Sequence, residues 1–293
     1  MEDKIKNTII IAILAFFFII ISVVFGELNK EPEKKADLKK DKQQQTTPPQ
    51  NAQQAPASSA TTNQPVTYTA ISGTDSITTN NYANQTLSYF YYIPQSVSQN
   101  NQARHPYMIL VPGIGIQGQD FTTQTFKNFA DQYGFVILAP SFIFDEKNSP
   151  NKTSYQYPAA WSGRALNDIL NSFDSKQGLL PSHIFMLGFS AGAQFVSRYA
   201  LLYPDYVTAC AVNAASEVDT PTKYQDTKFY IAIGSQDAAD RKQTSQTFYN
   251  LLKQQKIDAT YKEYPNIAHQ ISDEEIKDEL NFFSSINALT QDK

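Results

Sequence analysis

Cysteine is almost absent from this sequence. Cys210 is the single cysteine among 293 residues, so the chain can form neither an internal disulfide nor a zinc site with cysteine ligands. It lies in an apolar run, residues 207–212, where we expect a buried and unreactive thiol. The sequence also has no cluster of metal-ligand residue types and no phosphate-binding loop motif. We therefore predict neither a metal nor a cofactor.

An excess of charge of one sign is missing as well. The 24 lysine and arginine residues stand against 28 acidic residues and give a formal net charge of −4. Proteins that bind nucleic acid usually carry a strong basic patch, so nucleic acid is not a predicted partner. Hydrophobic residues make up 41% of the chain and include 19 Phe and 17 Tyr, enough for a sizeable core.

One stretch near the N-terminus has no charge at all. Residues 8–26 carry no charged side chain, and residues 9–25 are apolar except for Ser22. A run of this length can cross a bilayer as a helix and exceeds the usual apolar core of a signal peptide. Residues 1–26 are therefore predicted to be a membrane anchor, with the membrane as a partner. A cleaved signal peptide, followed by secretion, is the alternative.

The side of the membrane on which the domain lies has two possible readings. Two lysines precede it and six follow it closely, which by the positive-inside rule would place the rest of the chain in the cytoplasm. An anchor followed by a long polar linker is instead the usual design of an exported, tethered domain. We expect the domain to be extracytoplasmic, either periplasmic or at the cell surface.

Residues 27–65 form a predicted linker. Their first part mixes Glu and Lys, and residues 43–65 contain no large apolar side chain. Such a segment cannot bury enough apolar surface to offset the entropy lost on ordering. We interpret it as a flexible spacer that leads into a globular domain over residues 66–293.

In this domain, short apolar runs alternate with segments of helical periodicity. The predicted strands are residues 66–71, 86–93, 107–111, 134–140, 184–187, 207–212, 228–233 and 260–264. The main predicted helices are residues 126–133, 161–173, 193–202, 243–256 and 273–286. Alternation of this kind predicts the α/β class, with a mostly parallel sheet of about eight strands and helices on both faces. The first two strands are expected to pair antiparallel at an edge, and no room is left for a large cap domain.

The pentapeptide Gly188-Phe189-Ser190-Ala191-Gly192 stands between a predicted strand and a predicted helix. A serine on such a sharp turn is lifted clear of the sheet, and the helix N-terminus points toward its hydroxyl. G-x-S-x-G also occurs by chance as an ordinary Gly/Ser turn. The strand before it and the helix after it favour a nucleophilic serine.

A serine nucleophile needs a general base and an acid that orients the base. In a parallel sheet these groups lie on loops after the carboxyl ends of strands. His105 and His183 each stand before a predicted strand, whereas His269 follows one, so His269 is the predicted base. Asp237 stands just past another strand end and is the predicted acid, with Asp240 as the alternative.

An oxyanion site needs two backbone donors. One is expected to be the N–H of Ala191, directly after the serine. The loop after residues 107–111 is expected to supply the second, and its three glycines permit close approach to a ligand. Within this loop we predict the N–H of Ile114.

Residues 85–290 resemble the α/β-hydrolase family of serine esterases, and most of all its polyhydroxybutyrate depolymerase and feruloyl-esterase-like branch. The matching stretches are residues 109–113 with Phe121, residues 129–140, residues 188–193, residues 234–237 and His269. The resemblance implies Ser190 as nucleophile, His269 as base and Asp237 as acid. The family usually has His-Gly where this chain has Pro112-Gly113, a change expected to affect loop geometry and substrate preference but not the reaction class.

The segment 141–160 follows a strand at the same end and is long, polar and dotted with aromatic residues. A loop of this length usually serves binding, so Tyr157 or Trp161 is predicted to line a substrate pocket, although packing at the start of a helix explains them equally well. The predicted function is a serine hydrolase that cleaves carboxylic esters, with a small-molecule or polymer substrate. A peptidase or acyltransferase with the same triad is one alternative. A catalytically silent hydrolase-fold binding module is another.

Overall fold

The computed structural model describes residues 69–80, 82, 84–100, 103–144 and 153–291, all of which belong to the unit Gln64–Lys293. The predicted anchor, the predicted spacer and part of the first predicted strand lie outside these residues. Within the described ranges, no helix combines the length and the apolar character needed to span a membrane.

An eight-stranded sheet lies at the centre of the described part of the chain. Its strands are β1 Ile71–Thr79, β2 Gln85–Ile93, β3 Arg104–Val111, β4 Val136–Ser141, β5 Leu180–Phe189, β6 Val207–Asn213, β7 Lys228–Gly234 and β8 Ala259–Tyr264. Their spatial order is β1-β2-β4-β3-β5-β6-β7-β8. The pairs β1–β2 and β2–β4 are antiparallel, and all pairs from β4 to β8 are parallel. The carboxyl ends of β3 to β8 therefore share one edge, where the predicted site residues belong.

Seven helices lie within the described ranges. They are α1 Gln95–Ser98, α2 Gly118–Phe121, α3 Gln124–Tyr133, α4 Ser162–Gln177, α5 Ala191–Leu202, α6 Ala239–Gln254 and α7 Asp273–Gln291. The left-handed glycines Gly134 and Gly178 end α3 and α4, because a residue without Cβ adopts a positive φ at little cost. The predicted alternation of strands and helices is confirmed.

Apolar side chains pack on both faces of the sheet, as predicted. Along β3, Ile109 faces a core that includes Phe173 of α4 and Phe195 of α5, whereas Leu110 faces a second core with Phe126 of α3 and Phe283 of α7. Each such side chain stabilises the fold by about 1.5–3 kcal/mol relative to an exposed position. The continuous apolar runs that marked the central strands follow from this burial on two sides.

The first strand was predicted at the wrong position. Of the described residues 69–71, only Ile71 belongs to β1, which continues to Thr79. This strand lies at the sheet edge and is held to β2 mainly by backbone pairing, so its side chains are largely polar and show no apolar run. The other strands lie where they were predicted, with some ends shifted by a few residues.

Cys210 is fully buried within β6, as predicted. Burial holds the pKa of its thiol well above the usual range. Because the thiolate is the reactive form, this cysteine is expected to be inert.

Candidate active site

Ser190 stands between the end of β5 and the start of α5, in a strained backbone conformation. Its φ of 56° and ψ of −117° lie outside the regions that residues with a Cβ normally adopt. Two backbone hydrogen bonds hold it there. The Ser190 N–H donates to Asn213 O at 2.8 Å, and the Gln194 N–H donates to Ser190 O at 3.2 Å. The turn predicted from the pentapeptide is present.

Close packing explains both outer glycines of the pentapeptide. A Cβ on Gly188 would lie 2.4 Å from Gly192 O, and one on Gly192 would lie 2.0 Å from Val111 O. Both distances are far below van der Waals contact, so any side chain would force the backbone apart. The loop after β3 also comes close, because a Cβ on Gly113 would lie 3.3 Å from Ser190 Cβ.

His269 contacts Ser190 on one side and Asp237 on the other. Its Nε2 lies 3.0 Å from Ser190 Oγ, and its Nδ1 lies 2.8 Å from Asp237 Oδ2. The carboxylate partner assigns the hydrogen to Nδ1, which leaves Nε2 free to accept the serine hydroxyl. The ring of Phe189 packs against the imidazole at a centroid distance of 4.9 Å. The three residues predicted from sequence are thus brought together in hydrogen-bonding geometry.

Asp237 is held through both carboxylate oxygens. Its side chain is 1% exposed, compared with 34% for His269. Oδ1 accepts the Ala238 N–H at 2.6 Å and lies 3.5 Å from Arg241 Nη1, which leaves Oδ2 for the imidazole. Asp240, the alternative acid, accepts the Arg241 N–H at the start of α6 instead.

The loops that carry Asp237 and His269 are bound to each other. The Ser235 N–H donates to Tyr264 O and the Gln236 N–H donates to Ile267 O, both at 2.8 Å. The Asn266 N–H donates to Ser235 Oγ at 2.9 Å. These bonds fix the separation of the two loops and so preorganise the contact between the imidazole and the carboxylate.

His105 and His183 lie at the opposite edge of the sheet. Both were predicted to stand before strands, but they are within the first residues of β3 and β5, which begin earlier than predicted. These strand starts contain proline and polar residues, so they show no continuous apolar run. Elimination of both histidines as the base is nonetheless consistent with their position at the amino ends of parallel strands.

Of the two predicted oxyanion donors, Ala191 follows the serine directly, and Ile114 lies in the loop after β3, next to Gly113, which packs against Ser190. Ala191 is 1% exposed and is the first residue of α5, where a helix leaves its N–H groups without partners inside the helix. Ile114 is 49% exposed, and the following Gly115 has a φ of 79°, so the loop turns sharply beside Ser190. The assignment of these two N–H groups to an oxyanion site stays a prediction.

Aromatic side chains fill the space next to Pro112, where the resemblance expects a histidine. Tyr155 donates its hydroxyl to Pro112 O at 3.3 Å and stacks on Phe142 at a centroid distance of 5.4 Å. Tyr155 is 2% exposed. The loop geometry at this point is therefore supported by packing rather than by an imidazole.

Trp161 and Tyr157, the predicted pocket residues, differ in their surroundings. Trp161 is 3% exposed, stacks on Tyr82 at a centroid distance of 4.3 Å and donates its Nε1–H to Thr153 O at 2.8 Å. Tyr157 is half-buried and donates its hydroxyl to Glu217 Oε2 at 2.7 Å. Residues 145–152 of the same loop lie outside the described ranges. A role for either residue in substrate binding stays a prediction.

Arg198 connects this region to the helix of the nucleophile and was not singled out from sequence. Its side chain is 2% exposed, and its guanidinium lies over the Tyr157 ring at 4.3 Å. It donates through Nε to Asp219 at 2.8 Å and through Nη1 to Gln156 O at 3.1 Å. Its Nη2 lies 3.0 Å from Glu217 Oε2 as an ion pair without hydrogen-bond alignment. One cation thus ties two loops to α5.

Asn213, at the carboxyl end of β6, is a second residue that sequence analysis missed. Its backbone oxygen accepts the Ser190 N–H, and its Nδ2 donates to Gly188 O at 3.2 Å. It is 1% exposed. The signal available in the sequence was a lone asparagine at the end of an apolar strand.

Comparison with known proteins agrees with this architecture. A family model described as "alpha/beta hydrolase fold" matches residues 106–242. Similar solved structures include a ferulic acid esterase, with 13% identity over 70% of this chain and 93% of that chain and a TM-score of 0.56. A Staphylococcus aureus fluorophosphonate-binding serine hydrolase, solved with substrate bound, has 13% identity over 73% and 98% of the two chains and a TM-score of 0.56.

A hyperthermophilic esterase from the archaeon Pyrobaculum calidifontis is a third similar structure. It has 13% identity over 75% of this chain and 84% of that chain, with a TM-score of 0.56. No curated protein matches the sequence. The chain has the α/β-hydrolase fold, as predicted. The low sequence identities extend the likeness to the fold and no further.

Proposed function

We propose that this protein is a serine hydrolase that cleaves carboxylic esters. One observation carries the proposal, the continuous contact from Ser190 Oγ through His269 to the buried carboxylate of Asp237. A serine hydroxyl is a weak nucleophile at neutral pH unless a base accepts its proton during attack. The strained turn at Ser190 exposes the hydroxyl to that base.

In the proposed first step, Ser190 Oγ attacks the ester carbonyl carbon while His269 Nε2 takes the hydroxyl proton. The resulting imidazolium is stabilised by the Asp237 carboxylate, which keeps its charge and takes no proton. The tetrahedral intermediate collapses when the carbon–oxygen bond to the alcohol breaks. His269 returns its proton to the departing alkoxide, and an acyl-enzyme remains on Ser190.

Water completes the cycle in the proposed second step. His269 Nε2 accepts a proton from the water as its oxygen attacks the acyl carbon. Collapse of the second intermediate releases the carboxylic acid, and the proton passes from His269 to Ser190 Oγ. The 34% exposure of the His269 side chain is compatible with entry of water from this side.

The N–H groups of Ile114 and Ala191 are the proposed donors to the oxyanion in both steps. Loss of one donor of this kind typically lowers kcat by about 10²–10³. Tyr157 and Trp161 are the proposed contacts for the acyl or alcohol group, with Tyr157 the better placed because it is only half-buried. The names of the similar structures, which include esterases and a serine hydrolase, support an ester as the substrate class.

Hydrolysis of nitrophenyl esters of increasing acyl length tests the proposal with the full chain. We expect turnover by the wild type and none above background by Ser190→Ala, while Ser285→Ala, at an exposed helical serine, keeps wild-type rates. Parallel assays with aminopeptide substrates distinguish ester from peptide cleavage. Turnover of peptides but not of esters by the folded protein would overturn the assignment to esters.

We also propose that the domain is tethered to a membrane and faces away from the cytoplasm. Support comes from the uncharged residues 8–26 and the polar residues 27–65, both outside the described ranges. Protease added to intact cells should digest the domain. Digestion only after the cells are opened would instead place it inside.

A further inference from the structure

Three buried oxygen atoms on the neighbouring side chains of Asn213 and Glu279 have no hydrogen-bond donor among the described residues. Glu279 lies on α7 and is fully buried, and Asn213 is 1% exposed. Among the described residues, no hydrogen-bond partner contacts Oε1 or Oε2 of Glu279 or Oδ1 of Asn213. The two side chains are neighbours, because the Asn213 amide lowers the pKa of the Glu279 carboxyl, whereas burial, the larger effect, raises it. Buried acceptors are rarely left without a donor, so this cluster requires an explanation.

The orientation of the Asn213 amide is set by Gly188. Its Nδ2 donates to Gly188 O at 3.2 Å, and the reversed amide would place two acceptor oxygens against each other. Oδ1 therefore points away from Gly188 and needs a donor from elsewhere. A carboxylate accepts only, but a neutral carboxylic acid carries one O–H donor.

The surroundings of Glu279 favour the neutral acid. Its neighbours along α7 are the buried Ile276, Leu280 and Phe283. Burial, with the added negative charge of Glu275, holds the pKa of the Glu279 carboxyl well above its usual range. Glu275 itself is engaged elsewhere, because its Oε2 accepts both the N–H and the hydroxyl of Ser272.

We propose that Glu279 is a positioning residue for the nucleophile, and that its carboxylic acid donates its hydrogen to Asn213 Oδ1. Asn213 then holds the turn at two points, through Gly188 O with its side chain and through the Ser190 N–H with its backbone oxygen. The inference rests on the proposed function, since it assigns Glu279 a part in placing the serine for attack.

The backbone strain at Ser190 explains why support from Glu279 matters for catalysis. Ser190 adopts a strained conformation that must be maintained by its neighbours. A reacting group displaced by about 1 Å can lose roughly 100-fold in rate. A hydrogen bond from α7 to Asn213 braces the turn from the side of the sheet opposite α5, where no other described side chain donates to Oδ1.

Substitution by glutamine and by leucine separates hydrogen donation from simple packing. The amide of Glu279→Gln can still donate to Asn213 Oδ1, so we expect kcat within about threefold of wild type. Glu279→Leu retains similar bulk without a donor, and we expect kcat to fall at least about tenfold with KM changed less than about twofold. Glu274→Leu, at an exposed position on the same helix, serves as the control and is expected to keep wild-type kcat.

A double variant tests the route through Asn213. If Glu279 acts through this residue, adding Glu279→Leu to Asn213→Leu should lower kcat by less than about twofold beyond Asn213→Leu alone. If the two substitutions instead lower kcat in the double variant by the product of their separate effects, the proposed route through Asn213 is overturned. Equal losses in Glu279→Gln and Glu279→Leu, with both variants folded by circular dichroism, would overturn donation by the carboxyl.

Infrared spectroscopy reports the protonation state of Glu279 directly. It requires neither an activity assay nor the leucine variant. The wild-type minus Glu279→Gln difference spectrum at neutral pH should contain the carbonyl stretch of a protonated carboxylic acid. A spectrum with a carboxylate band instead would sink the inference even in a fully active enzyme. If the acid band is present but the protein hydrolyses no ester, Glu279 is protonated and the proposed function has failed. Glu279 then has no role in ester hydrolysis.

Discussion

Asp237 and His269 are 32 residues apart in the chain, yet the carboxylate Oδ2 and the imidazole Nδ1 are 2.8 Å apart. The contact joins the loop after β7 to the loop after β8, two strands that are neighbours in the sheet. Parallel pairing brings their carboxyl ends to the same edge, and backbone bonds between the loops maintain the distance. The orienting acid and the base are thus placed by sheet topology.

Asp237→Asn is expected to lower kcat by about 10³–10⁴ while the protein stays folded. The amide cannot hold the imidazole in the tautomer that leaves Nε2 free to accept the serine proton. Asp240→Asn is the matched control, because Asp240 is exposed and accepts the Arg241 N–H at the start of α6. Steady-state hydrolysis of an ester by the two variants checks the assignment, and an equal loss in both would contradict it.

Gly192→Ala is expected to destabilise the domain by about 3 kcal/mol, the upper end of the usual cost of overpacking. The added Cβ would lie 2.0 Å from Val111 O and 2.5 Å from Pro112 O, both backbone atoms that cannot turn aside. Gly73→Ala is the control, because its Cβ would meet the movable hydroxyl end of Tyr91 at 2.8 Å. Urea unfolding of the two variants measures the difference, and a similar midpoint for both would refute the packing argument.

Arg198→Met is expected to lower the free energy of unfolding by about 2–4 kcal/mol. The substitution leaves the buried Gln156 O without its donor and removes the cation that faces Glu217 and Asp219. Arg104→Met, at an exposed arginine that donates to Pro181 O, should change stability by less than about 0.5 kcal/mol. Chemical denaturation measures both, and no loss in Arg198→Met would show that the cation is not needed to hold these loops.

The pH dependence of stability gives an independent test of the buried acid. Because the folded-state pKa of Glu279 is raised, the native state holds a proton that the unfolded chain releases above pH about 4.5. Glu279 should therefore make stability fall as pH rises from about 5 to 7, by up to about 1.4 kcal/mol per pH unit. The nearby titratable groups Glu275, Asp278 and Cys210 are shared by wild type and Glu279→Gln.

The difference in unfolding free energy between Glu279→Gln and wild type should therefore increase with pH over this range. The glutamine variant has no proton to lose, so its own profile should be flatter. Denaturation of both proteins at several pH values measures the difference. A constant difference from pH 5 to 7 would contradict the raised pKa.

Periodicity and strand order made most of this architecture predictable. Buried central strands appear in the sequence as continuous apolar runs. Because functional loops follow the carboxyl ends of strands, His269 could be selected from the three histidines. The edge strand β1 was misplaced because its side chains alternate weakly and its register comes from backbone pairing with β2.

The supporting residues of the site were harder to predict for a different reason. Glu279 lies four residues from Phe283 and three from Ile276, so helical spacing places it on the apolar face of α7. An acidic residue in that position is usually assumed to face solvent, and only the packed structure shows that it is buried next to Asn213. Arg198 was missed because its partners come from separate loops that no local pattern connects.

Labelling by a fluorophosphonate tests the central claim most directly, because this reagent bonds covalently to an activated serine. Mass spectrometry of the intact protein and its peptides should show one adduct, on Ser190. The adduct should be absent from Ser190→Ala and formed much more slowly in His269→Ala. A folded wild-type protein that forms no adduct, or one that is labelled equally well in Ser190→Ala, would contradict the assignment of Ser190 as an activated nucleophile.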